Sequence, residues 1–198
     1  MNPEDSATFR LARLTLLLAV VGESAPDGVD AERLGIYDFL AAHPLLVVHQ
    51  DGDPDRLALR LAGFDAQALA YASPAQRFVT SQLRLGSDLA VLVGWGLVSV
   101  TAAGRITYRL TAEGMTVAAQ FAAQYSRSYT AAARIVIRRS RHLSGRKLRG
   151  SMRNWITLPP KPTPGRLDPA HVIDLDSYIE ASAFEGPAQA ESFPEDEK

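Results

Sequence analysis

A pair of short β-prone runs on either side of a glycine constrains the fold of this chain most. The runs are Leu97–Val100 and Arg105–Leu110, and Thr101–Gly104 lies between them. Two such runs joined by a glycine-containing turn predict an antiparallel β-hairpin. Since the remaining pattern up to residue 157 is mostly helical, the chain is expected to be mainly α with one hairpin.

Helical patterns precede the hairpin. Apolar residues at three- and four-residue spacing predict a first helix over residues 7–21, and Asp30 is expected to cap a second over 31–42. A short third helix is expected over 54–63. Ser73-Pro74 is typical of a helix start.

A helix boundary is predicted just before the hairpin. The helix that starts at Ser73-Pro74 is expected to run to Arg84 and to break at Gly86, after which Ser87 or Asp88 caps the next one, which ends near Gly94. Two helices joined by a short glycine-containing turn and followed by a hairpin are the order of a winged helix–turn–helix.

The segment after the hairpin continues this pattern. Gly96–Val98 and Tyr108–Gly114 resemble the wing and the following helix of many winged-helix proteins. Thr111 is expected to cap a helix that reaches about Gln124, and residues 126–144 are predicted to form one long basic helix that continues toward Trp155. The predicted domains are a winged-helix domain over 1–125, a basic helical extension over 126–156, and a Pro-rich linker with an acidic tail over 157–198 that folds when it docks.

The helix before the hairpin is unsuited to reading DNA bases. Residues 87–96 contain no polar side chain after Asp88 except the indole N–H of Trp95. Base edges in the major groove are read by polar and charged side chains. This helix is therefore predicted to be covered on both faces, by its own domain and by a protein partner. Apolar residues of the acidic tail are expected to serve the same purpose, so the predicted partner contacts are Leu89, Leu92, Trp95, Tyr178, Ile179 and Phe184.

Charge is strongly segregated along the chain although the net charge is only −1. Residues 1–113 carry a net −4, residues 114–167 carry +11 without a single acidic residue, and residues 168–198 carry −8. The basic segment predicts contact with the phosphate backbone of a nucleic acid, or with acidic protein side chains such as those of the tail. The candidate nucleic-acid contacts are Arg105, Arg109, Arg127, Arg134, Arg138, Arg139, Arg141, Arg146, Lys147, Arg149 and Arg153.

Nothing in the sequence favours catalysis. The chain contains no cysteine, which excludes thiol chemistry and Cys-ligated metals. His43, His49, Asp51 and Asp53 match no common metal-ligand spacing, and Gly94-x-Gly96 lacks the rest of a dinucleotide fingerprint. The sequence predicts a protein that is not an enzyme and needs no cofactor. The apolar run Leu14–Val21 is about half as long as a membrane span, so a cytoplasmic location is expected.

Two stretches of the first helices resemble a known family. Leu14–Leu18 and Leu34–Leu40, with Pro44 shortly after, resemble the start of the middle components of bacterial ABC-three-component systems, relatives of the Lamassu anti-phage systems. The resemblance covers residues 8–125. It implies a winged-helix accessory subunit that bridges an SMC/Rad50-like ATPase and an effector in phage or plasmid defence, with no catalytic residues to carry over. The alternatives are a winged-helix DNA-binding transcriptional regulator and a neutraliser that blocks a partner with its acidic tail.

Overall fold

The computed structural model describes residues 6–50, 52–65 and 73–157. Its first two helices, α1 (Ala7–Gly22) and α2 (Ala31–Ala42), lie where the sequence predicts them. The side chain of Asp30 accepts a hydrogen bond from the backbone N–H of Arg33, so this N-cap is confirmed. A 3-10 turn over Pro44–Leu46 and the short helix α3 (Pro54–Leu61) follow.

The next helix, α4, is a single element over Pro74–Gly94. The predicted boundary at Gly86 is therefore wrong. Glycine inside a helix costs about 1 kcal/mol relative to alanine, which tertiary packing of neighbouring residues outweighs. Here Leu85, Leu89 and Leu92 are buried on one side of α4. The hydroxyl of Ser87, expected to cap a new helix, instead donates to the carbonyl oxygen of Arg84 within the same helix.

The predicted hairpin is confirmed. Strands β1 (Val98–Ala103) and β2 (Arg105–Leu110) pair antiparallel in a register that sets Val98 opposite Leu110. Gly104 lies in the turn with φ +76°, a backbone conformation that favours glycine. Val29 adds an isolated bridge on the outer side of β2, since its backbone exchanges two hydrogen bonds with Tyr108.

Three helices, separated by short breaks, follow the hairpin. The side chain of Thr111 caps α5 (Ala112–Gln120) as predicted, by accepting a hydrogen bond from the N–H of Gly114. The long basic helix is instead two helices, α6 (Gln124–Ser140) and α7 (Gly145–Thr157). Ser144 directly precedes α7, and its carbonyl oxygen accepts a hydrogen bond from the N–H of Leu148 in the first turn.

The core is built around α6. Its buried face carries Tyr129, Ala132, Val136 and Ile137, which join the apolar residues of α1 and α2. Residues of the predicted basic extension over 126–156 thus belong to the same hydrophobic core as the N-terminal helices. All described residues lie in one compact unit.

Two arginine–aspartate pairs fix α1 against its neighbours. Arg13 donates two hydrogen bonds to the carboxylate of Asp38 on α2, and the hydroxyl of Tyr129 on α6 donates to the same carboxylate. One turn earlier, Arg10 forms a similar two-bond pair with Asp88 on α4. These bidentate bonds set the register of α1 against three other helices.

Candidate protein and nucleic-acid interfaces

The outward side of α4 is apolar. Val79, Leu83, Ala90 and Val93 are exposed and recur at helical spacing, with Gly86 between them. Leu83 is 80 % exposed. From Val79 to Val93 this apolar face of α4 extends about 21 Å along the helix axis. It carries no charged side chain over that distance.

Two of the polar side chains that flank the apolar face of α4 bond to the helix itself. The hydroxyl of Thr80 donates to the carbonyl oxygen of Gln76, at 3.0 Å between the oxygens, and the hydroxyl of Ser87 donates to that of Arg84 at 2.8 Å. Each hydroxyl is thereby taken up by a backbone carbonyl one turn earlier in the helix. The face offers few groups that could read the donor and acceptor pattern of a major groove.

The inner side of α4 belongs to the domain core. Leu89 is 2 % exposed and Leu92 is 1 % exposed, so the contacts predicted for a partner at these positions are made inside the domain instead. Trp95, in contrast, is 60 % exposed at the end of α4. Tyr178, Ile179 and Phe184 lie outside the described residues, as does the rest of the predicted linker and tail beyond Thr157.

The basic residues of α6 are paired with acidic residues of the N-terminal half. Arg134 donates two hydrogen bonds to Glu23, and Arg138 donates to Asp55. Arg139 donates to both Asp53 and Asp55. Of the two interpretations of the basic segment, the structure therefore shows carboxylate pairing on α6, with acidic partners about eighty to a hundred and ten residues earlier in the chain.

These ion pairs shift the ionisation of their members. Hydrogen bonds from Arg134 lower the pKa of Glu23. Partial burial alone would raise the pKa of Asp55, but the hydrogen bonds and charges of Arg138 and Arg139 outweigh burial and lower it. Both carboxylates therefore stay ionised near neutral pH, and the charges of these three arginines are largely compensated.

The arginines of the hairpin and of the start of α6 also have partners. Arg105 forms an ion pair with Asp30 at 3.0 Å, and Arg109 donates to the hydroxyl of Ser99. Arg127 donates to the side chain of Gln124 and to the carbonyl oxygen of Ala122. Arg149 on α7 pairs with Glu32, and both side chains are about half exposed.

Six of the predicted nucleic-acid contacts are exposed and pair with no carboxylate in the part of the chain that the structure describes: Arg109, Arg127, Arg141, Arg146, Lys147 and Arg153. Arg109 and Arg127 donate to uncharged groups, and the other four lie at the end of α6 or on α7. The cationic surface that is available to an external anion is therefore densest at α7.

The described residues include no group of three histidine, aspartate or glutamate side chains placed to hold a metal ion. Asp53, one of the residues considered as a ligand, caps α3 and accepts from Arg139. Within the same residues, no helix combines the length and the apolarity that crossing a membrane requires.

The two stretches that carry the family resemblance are core residues. Leu14, Leu17 and Leu18 of α1 are buried, as are Leu34 and Leu40 of α2. Both stretches therefore also contribute to the hydrophobic core.

The outward face of α4 does not follow from the predicted helices. The predicted boundary at Gly86 places Val79 and Leu83 in a separate helix, which hides their alignment with Ala90 and Val93. The signal that could have found it is the continuation of one helical period across Gly86.

The chain matches no protein-family model, no curated protein and no solved structure.

Proposed function

We propose that this chain is a non-catalytic winged-helix adaptor subunit that docks on a partner protein through α4. By the resemblance of its first two helices, the partners are an SMC/Rad50-like ATPase and an effector of anti-phage or anti-plasmid defence. Contact with the DNA backbone, independent of sequence, is part of the proposal.

The order of elements supports the winged-helix assignment. Helices α1 and α2, with Val29 paired to β2 between them, precede α4 and the hairpin. In this arrangement α2 and α4 take the place of the helix–turn–helix pair, with the 3-10 turn and α3 inserted between them, and α4 stands where a recognition helix would lie.

The observation that carries the adaptor function is the uncharged, apolar outward face of α4. Burial of apolar surface favours association, and large exposed apolar patches mark interaction sites. A DNA groove presents phosphates and polar base edges, which an apolar helix face cannot satisfy. The occupant that fits this face is an apolar surface of a partner protein.

The matched experiment uses two leucines of equal exposure. Leu83 on α4 and Leu61 on α3 are both 80 % exposed. The chain is co-expressed with the proteins encoded beside it, and the complex is analysed by size-exclusion chromatography. Leu83→Glu is expected to abolish co-elution, because it places a charge in the apolar contact, whereas Leu61→Glu is expected to retain it.

Two results would count against the adaptor function. One is a strictly monomeric protein that co-elutes with none of its encoded neighbours. The other is retention of the complex in Leu83→Glu, which would show that the contact is not made by the outward face of α4.

The second candidate is a DNA-binding regulator, and the exposed hairpin with Arg105 and Arg109 favours it. It predicts sequence-selective binding that survives moderate salt and is lost when the outward face of α4 is changed. Leu83→Glu therefore separates the two functions, because the adaptor loses its protein partner and the regulator loses its selectivity.

A further inference from the structure

A cationic cavity lies where α2, the hairpin and α7 meet. Its volume is about 160 Å³. Side chains reach it from the first turn of α2, from the start of β2 and from the first turn of α7. Its charged lining consists of four arginines and two carboxylates: Arg33, Arg105, Arg146, Arg149, Asp30 and Glu32.

Two of these arginines are paired by contacts that an incoming anion can replace. Arg105 is 73 % exposed in its pair with Asp30, and the pair of Arg149 and Glu32 is about half exposed on both sides. Exposed ion pairs contribute only about 0 to 1 kcal/mol. Either guanidinium can therefore turn from its carboxylate to a phosphate at little cost.

Arg33 is held in position without being neutralised. Its guanidinium donates to the carbonyl oxygens of Leu143 and Arg141 and to the hydroxyl of Tyr37. All three acceptors are uncharged, so the positive charge of Arg33 remains available to the cavity. The same bonds anchor the connection between α6 and α7 against α2, which fixes this wall of the cavity.

Helix α7 continues the cationic surface beyond the cavity. Its first turn contains Arg146 and Lys147 and no acidic residue. Positive side chains at the N-terminal end of a helix face the positive end of its dipole, which is unfavourable unless an anion lies nearby. Arg153 lies two turns further, about 10 Å along the axis from Arg146.

We infer that the cavity and the exposed cations of α7 bind the phosphodiester backbone of duplex DNA. This inference rests on the backbone contact in the proposed function and gives that contact its residues. A polymer fits better than a single nucleotide for two reasons. Cations extend outside the cavity over a distance that spans several phosphates of a duplex, and the cavity lining contains no aromatic ring on which a base could stack.

The binding assay uses the full chain and fluorescently labelled duplexes of about 20 base pairs in two unrelated sequences, titrated by anisotropy between about 50 and 200 mM NaCl. The test variant is Arg146→Gln with Arg153→Gln. Each phosphate contact adds about 0.9 to the slope of log affinity against log salt, so the double variant is expected to lower that slope by about 2 for both sequences, with about tenfold or more loss of affinity at low salt.

The matched control is Arg134→Gln with Arg138→Gln. It removes the same charge from arginines that are paired with Glu23 and Asp55. We expect it to change affinity less than about twofold, because those arginines have no phosphate partner in the proposed site. Equal losses in the test and control pairs would overturn the inference, since net charge alone would then explain binding.

A gain-of-affinity variant tests the cavity without removing an arginine. Glu32→Gln removes the carboxylate that competes with a phosphate for Arg149, so binding to both duplexes is expected to tighten. Unchanged binding would overturn the assignment of the cavity. Binding of ATP or inorganic phosphate as tight as that of the duplex would overturn the assignment to a polymer.

These outcomes are separate from those of the proposed function. Leu83→Glu on α4 is expected to leave duplex binding unchanged, and the α7 double variant is expected to leave co-elution with a protein partner unchanged. Co-elution and duplex binding therefore test the α4 surface and the α7 surface separately.

Discussion

The buried arginine–aspartate pair between α1 and α2 provides the sharpest test of the structure. Asp38→Ala removes a carboxylate that is 6 % exposed and leaves Arg13, which is 5 % exposed, without its bidentate partner. Burial alone would lower the pKa of Arg13, but the charge of Asp38 and its hydrogen bonds outweigh burial and raise it, so the guanidinium is charged. The variant therefore removes one member of a buried ion pair.

The expected cost follows from that geometry. Removal of one member of a buried ion pair destabilises a protein by about 3 to 5 kcal/mol. Tyr129→Phe is milder, because it removes one hydrogen bond of 2.8 Å to a charged acceptor, worth about 1.5 to 3 kcal/mol. Burial and the adjacent carboxylate raise the pKa of Tyr129, so its hydroxyl is protonated and donates.

The assay is urea unfolding followed by circular dichroism, with the free energy of unfolding obtained by linear extrapolation. A loss of 3 kcal/mol or more is readily resolved against a total stability of about 5 to 15 kcal/mol. The matched control is Glu23→Ala, which breaks the half-exposed pair with Arg134 and is expected to cost no more than about 1 kcal/mol.

A triple variant separates burial of charge from loss of packing. Arg13→Met with Asp38→Leu and Tyr129→Phe replaces the whole polar group by apolar side chains. Because apolar replacement of a buried pair is often neutral or stabilising, the triple variant is expected to recover most of the loss seen in Asp38→Ala. If Asp38→Ala cost no more than Glu23→Ala, the packing of α1 on α2 described above would be incorrect.

Three further predictions concern stability. Gly114→Ala is expected to cost about 1 to 3 kcal/mol in urea unfolding, because the added Cβ would overlap the carbonyl oxygen of Leu97. Gly86→Ala is expected to stabilise by about 0.5 to 1 kcal/mol in the same assay, because nothing lies within contact of its added Cβ; destabilisation would contradict the continuous helix α4. The folded state lowers the pKa values of Glu23 and Asp55, so their ion pairs stabilise the fold above the ordinary carboxyl pKa. That contribution is lost as the pH falls through the folded-state pKa. The thermal midpoint should therefore decrease between about pH 5 and pH 3, and should decrease less in Glu23→Gln.

Local chemistry was sufficient to predict several elements from the sequence. Asp30 and Thr111 cap helices because each side chain reaches a backbone N–H three residues later. The hairpin forms where two β-prone runs flank Gly104, which takes the positive φ of the turn. In each case the groups that decide the structure lie within a few residues of one another, so the sequence by itself determined these features.

Tertiary contacts decided the path of α4 and the state of the basic residues. A glycine at position 86 lowers helix propensity by about 1 kcal/mol, and the buried leucines of α4 together with the pair of Arg10 and Asp88 outweigh that local preference. The sequence showed a basic segment, but only the fold could show that Arg134 and Arg139 are paired with carboxylates of the N-terminal half, while α7 keeps exposed cations without such partners. Electrostatic pairing depends on distance in space, and residues a hundred positions apart are brought within 3 Å only when the helices pack.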